Sequence, residues 1–311
     1  MKRTCNKLGV ALGGGSARGL AHIGVIRAFE EAGIAADLVA GTSMGAIVGA
    51  LYAAGYSSAR MGHLALAADL RAFFPLEDVR LSSGAVKGTA VEAWLRQHLP
   101  ASFDDLQIPF ACVSVDLASG RRVVHDHGDL PGAVRASISM PLVFAPVCTD
   151  GAVLVDGGLM EPVPVRLARE MGGCPVIAVA VGGASHGFLP DKSHHRPALV
   201  RHRRAKAREE RQQDEPPGMI DVAVASLEVL RHQVGVEEMK EADLLITPDV
   251  GGYGRGEFSE AAAIIELGYV AAVKAIPAIK EMIKVRPWYA RRARPGAKRS
   301  GQNPPDATRG T

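Results

Sequence analysis

The stretch VAGTSMGAIVGAL, residues 39–51, constrains the fold more than any other. A short apolar run turns through Gly41-Thr42-Ser43-Met44-Gly45 straight into a run of small, helix-compatible residues. Such a junction fits a strand that hands directly to a helix, with glycines where the two elements nearly touch. The preceding segment repeats the plan. GVALGGGSARGLAHIGV, residues 9–25, passes from an apolar run through three glycines toward a helical pattern. Strand Leu8–Leu12, a helix over 19–32, strand Leu38–Ala40 and helix Ala46–Ala54 make a βαβα opening, with Gly33 as a C′ residue. That alternation calls for an α/β fold in three layers: a mostly parallel central sheet with helices on both faces.

Further along, IPFACVSVDLASGRRVVHD predicts two strands joined around Ala118-Ser119-Gly120, and PVCTDGAVLVDGG repeats the device around Thr149-Asp150-Gly151. GGCPVIAVAVGG reads as a buried strand and ADLLITPDV as the last one. SEAAAIIELGYVAAVKAI closes the body as a helix, with Ser259 as its candidate N-cap. Residues 55–105 read as mostly helical, Val91–Leu99 being the clearest piece. One domain is therefore expected over residues 1–285, carrying a charged insertion at 186–216 and followed by a basic tail at 286–311.

The formal net charge of +3 hides a division. Residues 186–216 hold eight Lys/Arg and five Asp/Glu, residues 284–311 hold eight and one, and the remainder has 20 basic against 27 acidic residues. Basic arms of this kind are either solvated segments or contacts to an anionic surface. In the tail, RPWYARRARPGAKR sets Trp288 and Tyr289 among arginines, which suits peripheral contact with an anionic membrane. Aromatic residues make up only 5% of the chain, which argues against a stacking platform for nucleic acid.

Four cysteines form no CxxC pair and read as free thiols in a reducing, cytoplasmic setting. No signal-type apolar stretch precedes the glycines, and no uninterrupted run of roughly 18 apolar residues predicts a membrane span. His194-His195 lacks a third ligand at sensible spacing, so no metal is expected, and no cofactor is required.

Three glycines in a row raise the question of what must approach the backbone so closely. Nucleotide phosphate fits poorly. A P-loop would close on Gly-Lys-Ser/Thr, which is absent. A dinucleotide fingerprint counted from Gly13 ends on Arg18, and counted from Gly14 it meets Ser16 in the middle. Acyl transfer fits better. Ser43, in a GxSxG turn between strand and helix, is a candidate nucleophile, the helix N-terminus beneath it favouring developing negative charge. The same pattern also occurs as a merely tight turn. Gly13-Gly14-Gly15 can offer backbone donors to an oxyanion beside it. Arg18 either anchors that loop or adds positive charge.

None of the ten histidines falls where a Ser-His-Asp order needs one; His22 lies in the first helical pattern, where packing is its simpler role. Asp156, in LVDGGLMEP, ends a strand and is followed by Gly157-Gly158. A carboxylate there can take the serine proton directly. Asp-Gly-Gly is equally an ordinary turn.

GGGSARG, GTSMG and DGG, in this order and at these separations, resemble the patatin-like phospholipase family over roughly residues 8–180. RASISMPLVFAPV, from Arg135, is similar to the block before that family's Asp-Gly motif. The resemblance implies a serine acyl hydrolase of the phospholipase A or lysophospholipase type, working without cofactor through a Ser–Asp dyad and an acyl-enzyme. By position Ser43 would be nucleophile and Asp156 base, with Gly14, Gly15 and Ser16 forming the oxyanion hole. Gly13, Arg18, Gly41, Gly45, Gly157 and Gly158 would support them. The alternative on the same fold is a catalytically silent lipid-binding protein.

Overall fold

Buried four-residue strands Gly9–Leu12 (β1) and Leu38–Gly41 (β2) pair in parallel, Gly9 opposite Leu38 and Leu12 opposite Gly41. The computed structural model describes residues 7–67, 87–149, 151–182 and 218–284. Between β1 and β2 lie a 3-10 turn, Ser16–Leu20, and helix α1, Ala21–Glu31. Helices Met44–Ala53 (α2), Ser58–Ala67 (α3) and Thr89–His98 (α4) follow. Next come strands Phe110–Asp116 (β3) and Arg121–His125 (β4), helix Leu130–Ser137 (α5), and strands Val147–Thr149 (β5) and Ala152–Asp156 (β6). Helix Val165–Glu170 (α6), strand Val176–Val179 (β7), helix Met219–Met239 (α7), strand Leu244–Ile246 (β8) and helix Ala261–Lys284 (α8) complete the described chain.

The eight strands form one sheet. Strands β3, β2, β1, β7 and β8 are neighbours in parallel, whereas β4, β5 and β6 join antiparallel. Because successive strand residues point to opposite faces, the central strands feed two cores. Val10, Leu12, Val39, Cys112, Ile177 and Val179 pack into the core shared with α1, α2, α4, α5 and α8. Ala11, Leu38, Ala40, Val113 and Ala178 pack toward α6. The expected three-layer α/β architecture is therefore observed, with the parallel strands running from β3 to the β8 edge and the antiparallel ones gathered at the β3 end.

Helix α8 seals α1. A Cβ on Gly24 would drive into the Ile265 carbonyl, and one on Gly268 into that of Ala21, so both positions must be glycine for the backbones to meet. Contrary to the expectation from apolar run length, Phe258–Ile283 is long and apolar enough to cross a membrane by length and composition. Its Ile264, Ala272 and Ile279 are nevertheless part of the core.

Other differences are local. Ser259 lies inside a 3-10 turn, Phe258–Glu260, so it does not cap α8. Cys112 and Cys148 are free thiols but Cys174 is disulfide-bonded, which corrects the expectation of four free thiols. Helix α7 was not foreseen: it buries the charged Glu228 and Arg231 and exposes apolar residues, so the usual inward apolar stripe does not announce it. The insertion at 186–216, the tail at 286–311 with Trp288 and Tyr289, and Asp150 lie outside the described residues.

Candidate active site

The register of β3 brings the two candidate catalytic residues together. Cys112 pairs with Gly41 of β2 and with His125 of β4, so β2 and β4 flank β3 on opposite sides. Ser114 pairs with Val123 of β4 and with Asp156 of β6, so β6 also lies opposite β4. Strands β2 and β6 therefore share one side of β3 and run toward each other, end to end. Gly41 and Asp156 stand at levels two residues apart along β3, about 7 Å. The chain leaving β2 reaches Ser43 in that interval. Asp156 was expected at this rim because it ends a strand. That reasoning holds for a parallel strand, and β6 is antiparallel; Asp156 reaches the rim because β6 stops short.

Ser43 has φ 55° and ψ −124°, in the left-handed half of backbone space that a side chain rarely occupies, and it is the N-cap of α2. The strain is held by its surroundings. A Cβ on Gly41 would lie 2.6 Å from the Ala46 Cα, and one on Gly45 would strike the Leu12 carbonyl. The Ser43 amide donates to Ser137 Oγ at 3.1 Å, and Thr42 Oγ1 donates to the Glu161 carbonyl at 2.8 Å. The amide of Asp156 donates to the Ser139 carbonyl at 2.9 Å. The C-terminal end of α5 thus contacts both candidate residues. Arg135 secures that end from within, through Ser139 Oγ at 2.6 Å and the Lys87 carbonyl at 2.7 Å.

The glycine loop is fixed on three sides. Gly13 donates to the Val179 carbonyl at 3.0 Å, continuing the sheet. The Gly13 carbonyl accepts from His22 Nε2 at 2.7 Å. His22 is fully buried, and burial holds its pKa down to about 4, so the ring is neutral and acts as a donor below the loop. Gly14 donates its amide to the Pro162 carbonyl at 2.9 Å. This bears on the expected oxyanion hole: the Gly14 donor is already engaged, while the Gly15 and Ser16 amides have no acceptor among the described residues. Ser16, at φ 50°, is a second residue in left-handed backbone. Arg18 anchors rather than charges the site; it donates to the Tyr253 carbonyl at 2.6 Å and the Gly251 carbonyl at 3.1 Å, and burial lowers its pKa.

Asp156 is fully buried. Its Oδ1 accepts from the Gly158 amide at 2.7 Å, whereas Oδ2 has no hydrogen-bond partner among the described residues. A buried carboxylate oxygen left unmatched is costly unless a proton donor reaches it during function. Gly157 and Gly158 are needed here: a Cβ on Gly157 would enter the Val113 carbonyl, and one on Gly158 would enter the guanidinium of Arg231.

Arg231, from α7, is the functional-site residue that sequence reasoning missed. Its Nη2 lies 3.8 Å from Asp156 Oδ1, its Nε donates to the Gly158 carbonyl at 3.1 Å, and its Nη1 donates to Glu228 Oε1 at 3.1 Å. Glu228 also pairs with Arg255 at 2.5 Å, and burial pulls the Arg255 pKa down to about 10. A Cβ built on Gly14 would meet both Arg231 Nη2, at 3.0 Å, and Ser43 Cβ, at 3.1 Å, so the guanidinium lies over the junction of glycine loop and elbow. A charge pair spaced i, i+3 in α7 was the available signal, but sequence alone does not tell which face of a helix turns inward. No histidine hydrogen-bonds Ser43 or Asp156 among the described residues; His125 Nε2 pairs instead with Ser114 Oγ at 2.7 Å.

A strained serine between strand and helix, a glycine loop with unengaged amides and a buried aspartate define the architecture of a nucleophile-elbow α/β protein. The chain belongs to the patatin-like phospholipase family, whose sequence profile matches residues 10–169. It is 37% identical over 187 residues to an uncharacterised NTE family protein of Mycobacterium tuberculosis, covering 60% of this chain and 52% of that one. It is 38% identical over 186 residues to human patatin-like phospholipase domain-containing protein 6, covering 58% of this chain and 14% of that one. The chain thus spans about half the length of the mycobacterial relative and far less of the human one. Among solved structures it is similar to VipD from Legionella pneumophila, with 12% identity and a TM-score of 0.44 over 88% of this chain and 67% of that one.

Proposed function

We propose that the protein is a serine acyl hydrolase acting on lipid esters of the phospholipid or lysophospholipid class, by a Ser43–Asp156 dyad. The observation that carries this reading is the end-to-end approach of β2 and β6, which delivers an unmatched buried carboxylate to the level of the elbow. The Ser43 hydroxyl proton passes to Asp156 as Oγ attacks the acyl carbonyl. The Gly15 and Ser16 amides, with the α2 N-terminus, stabilise the tetrahedral oxyanion. Collapse expels the alcohol, which takes the proton from Asp156 and leaves an acyl-enzyme. Water then gives its proton to Asp156 and attacks the acyl group, and the fatty acid departs as Ser43 recovers its proton. The substrate class rests on family membership and on relatives such as Lysophospholipase NTE1 of Pyricularia oryzae, 36% identical over 191 residues.

A second reading has one observation in its favour. Arg231 lies against Asp156 Oδ1 and over Gly14, an arrangement that a silent lipid-binding protein would keep permanently. One experiment separates the two. Fluorophosphonate labelling and turnover of a short-chain chromogenic ester should both be abolished by Ser43→Ala, and Asp156→Asn should abolish turnover. Ester turnover persisting in Ser43→Ala, or a label mapped to another residue, defeats the dyad. Complete inertness of the wild type favours the silent protein.

A further inference from the structure

Helix α7 has its polarity reversed for a helix that faces water. Its buried positions include the charged Glu228 and Arg231, while Met219, Val222, Val229, Leu230 and Val234 point outward. Met219 is 89% and Leu230 64% exposed, so these side chains are turned fully away from the core. Among the described side chains from Met219 to Val234, the other exposed ones are Ser226 and Gln233, and none of the exposed ones is charged; Ile220 and Asp221 lie outside the described side chains. Contiguous apolar surface of this kind marks a contact with something other than water.

We infer that the outward face of α7, from Met219 to Val234, is a docking surface for an anionic lipid bilayer; this rests on the lipid acyl-ester reading above. Two observations select that occupant. First, the opposite face of the same helix carries Arg231 over Gly14 and Gly158, so a surface held by α7 lies within about one helix diameter, ~10 Å, of the candidate site. Second, the residues that lead into α7, 186–216, carry an excess of three positive charges, complementary to anionic headgroups. An exposed apolar face and a basic sequence next to it in the chain are the two chemistries that an anionic bilayer accepts, apolar interior and charged headgroups.

The test uses full-length protein and large unilamellar vesicles of phosphatidylcholine with phosphatidylglycerol. Partition is measured by co-sedimentation in a Ser43→Ala background, where no lipid is consumed. Leu230→Glu should weaken partition at least tenfold, and Ser226→Leu should strengthen it severalfold. With Ser43 intact, Leu230→Glu should leave turnover of a monomeric short-chain ester within twofold of wild type while hydrolysis of vesicle lipid falls with binding. Partition unchanged by Leu230→Glu overturns the inference. So does a concentration-dependent dimer that Leu230→Glu dissociates, which would assign the face to a second copy. Loss of partition only with Trp288→Ala and Tyr289→Ala would move the contact to the tail and likewise overturn it. If no variant, nor the wild type, turns over any ester while Leu230→Glu still abolishes partition, the hydrolase reading fails and the docking surface stands.

Discussion

Ser137 Oγ accepts the Ser43 amide at 3.1 Å, and the carbonyl of Ser139, two residues along the same segment, accepts the Asp156 amide at 2.9 Å. The end of α5 therefore gauges the distance between the candidate nucleophile and its candidate base. Both serines are fully buried, so neither bond has water as a substitute.

Removing the first of these contacts should act on the elbow. Ser137→Ala leaves a buried amide without its acceptor, a cost of about 1–3 kcal/mol borne by the strained Ser43 backbone. The expected outcome is roughly a tenfold fall in kcat on a short-chain ester, with KM little changed. Ser137→Thr, which keeps the hydroxyl, should restore most of the activity. Equal losses in the two variants would show that side-chain volume, not the hydrogen bond, is what matters at this position.

Arg231 makes a different prediction, read from stability. It is buried between Glu228, the Gly158 carbonyl and Asp156. Arg231→Ala leaves the buried Glu228 with Arg255 as its remaining partner and should cost about 3 kcal/mol in urea unfolding. Adding Glu228→Gln removes the uncompensated charge and should recover part of the loss, a non-additivity measurable in a double-mutant cycle. Strict additivity would mean that the pair is not coupled.

Two glycines give opposite expectations. Gly45→Ala would push a methyl group into the Leu12 and Gly13 carbonyls, both backbone, and should destabilise by more than about 3 kcal/mol or prevent folding. Gly62, inside α3, has nothing within 4 Å of its would-be Cβ. Gly62→Ala should stabilise by about 0.5–1 kcal/mol through helix propensity. Thermal melts of the two variants decide both.

Stability should also respond to pH through two groups of opposite sign, one buried and one half-buried. His22 has its pKa lowered from 6.5 to about 4 by burial, so its contribution is present above pH 6.5 and is lost as pH falls toward 4. Glu238, which accepts the Val163 amide at 2.9 Å, has its pKa raised from 4.5 to about 8, again by burial first. Its contribution is present below pH 4.5 and is lost as pH rises toward 8. Of these two groups Glu238 is the one that titrates between pH 6.5 and 8, and through it the melting temperature of the wild type should fall by a few degrees. Glu238→Gln keeps the acceptor and should flatten that limb. In that variant stability should instead climb from pH 4.5 to 6.5, reporting His22 together with His125, whose pKa burial also lowers.

Much of the centre of the fold was legible because its signals are local. The alternation of short apolar runs with small-residue helices locates β1, α1, β2 and α2 to within a few residues, and the Gly41–Gly45 turn announces the elbow. The base was harder. Asp156 belongs at the rim only through the antiparallel arrival of β6 against β3, a pairing between residues 114 and 156 that no local pattern encodes. Gly14 was read as a donor because three glycines look alike in sequence. Their hydrogen bonds differ, since Gly14 is engaged by Pro162 from a segment about 150 residues away. Arg231 was illegible for the same reason: its meaning depends on which side of α7 meets the sheet.

The head-on meeting of β2 and β6 carries a consequence for the chemistry. Ser43 resides in the first βαβ unit, but its proposed partner acid is contributed by a hairpin more than 100 residues later, running the other way. On that reading, a nascent or clipped chain that ends before residue 152 holds the candidate nucleophile without its candidate base. Under the proposed dyad, reactivity in this architecture comes only with closure of the sheet, and a polypeptide cut short of β6 carries none.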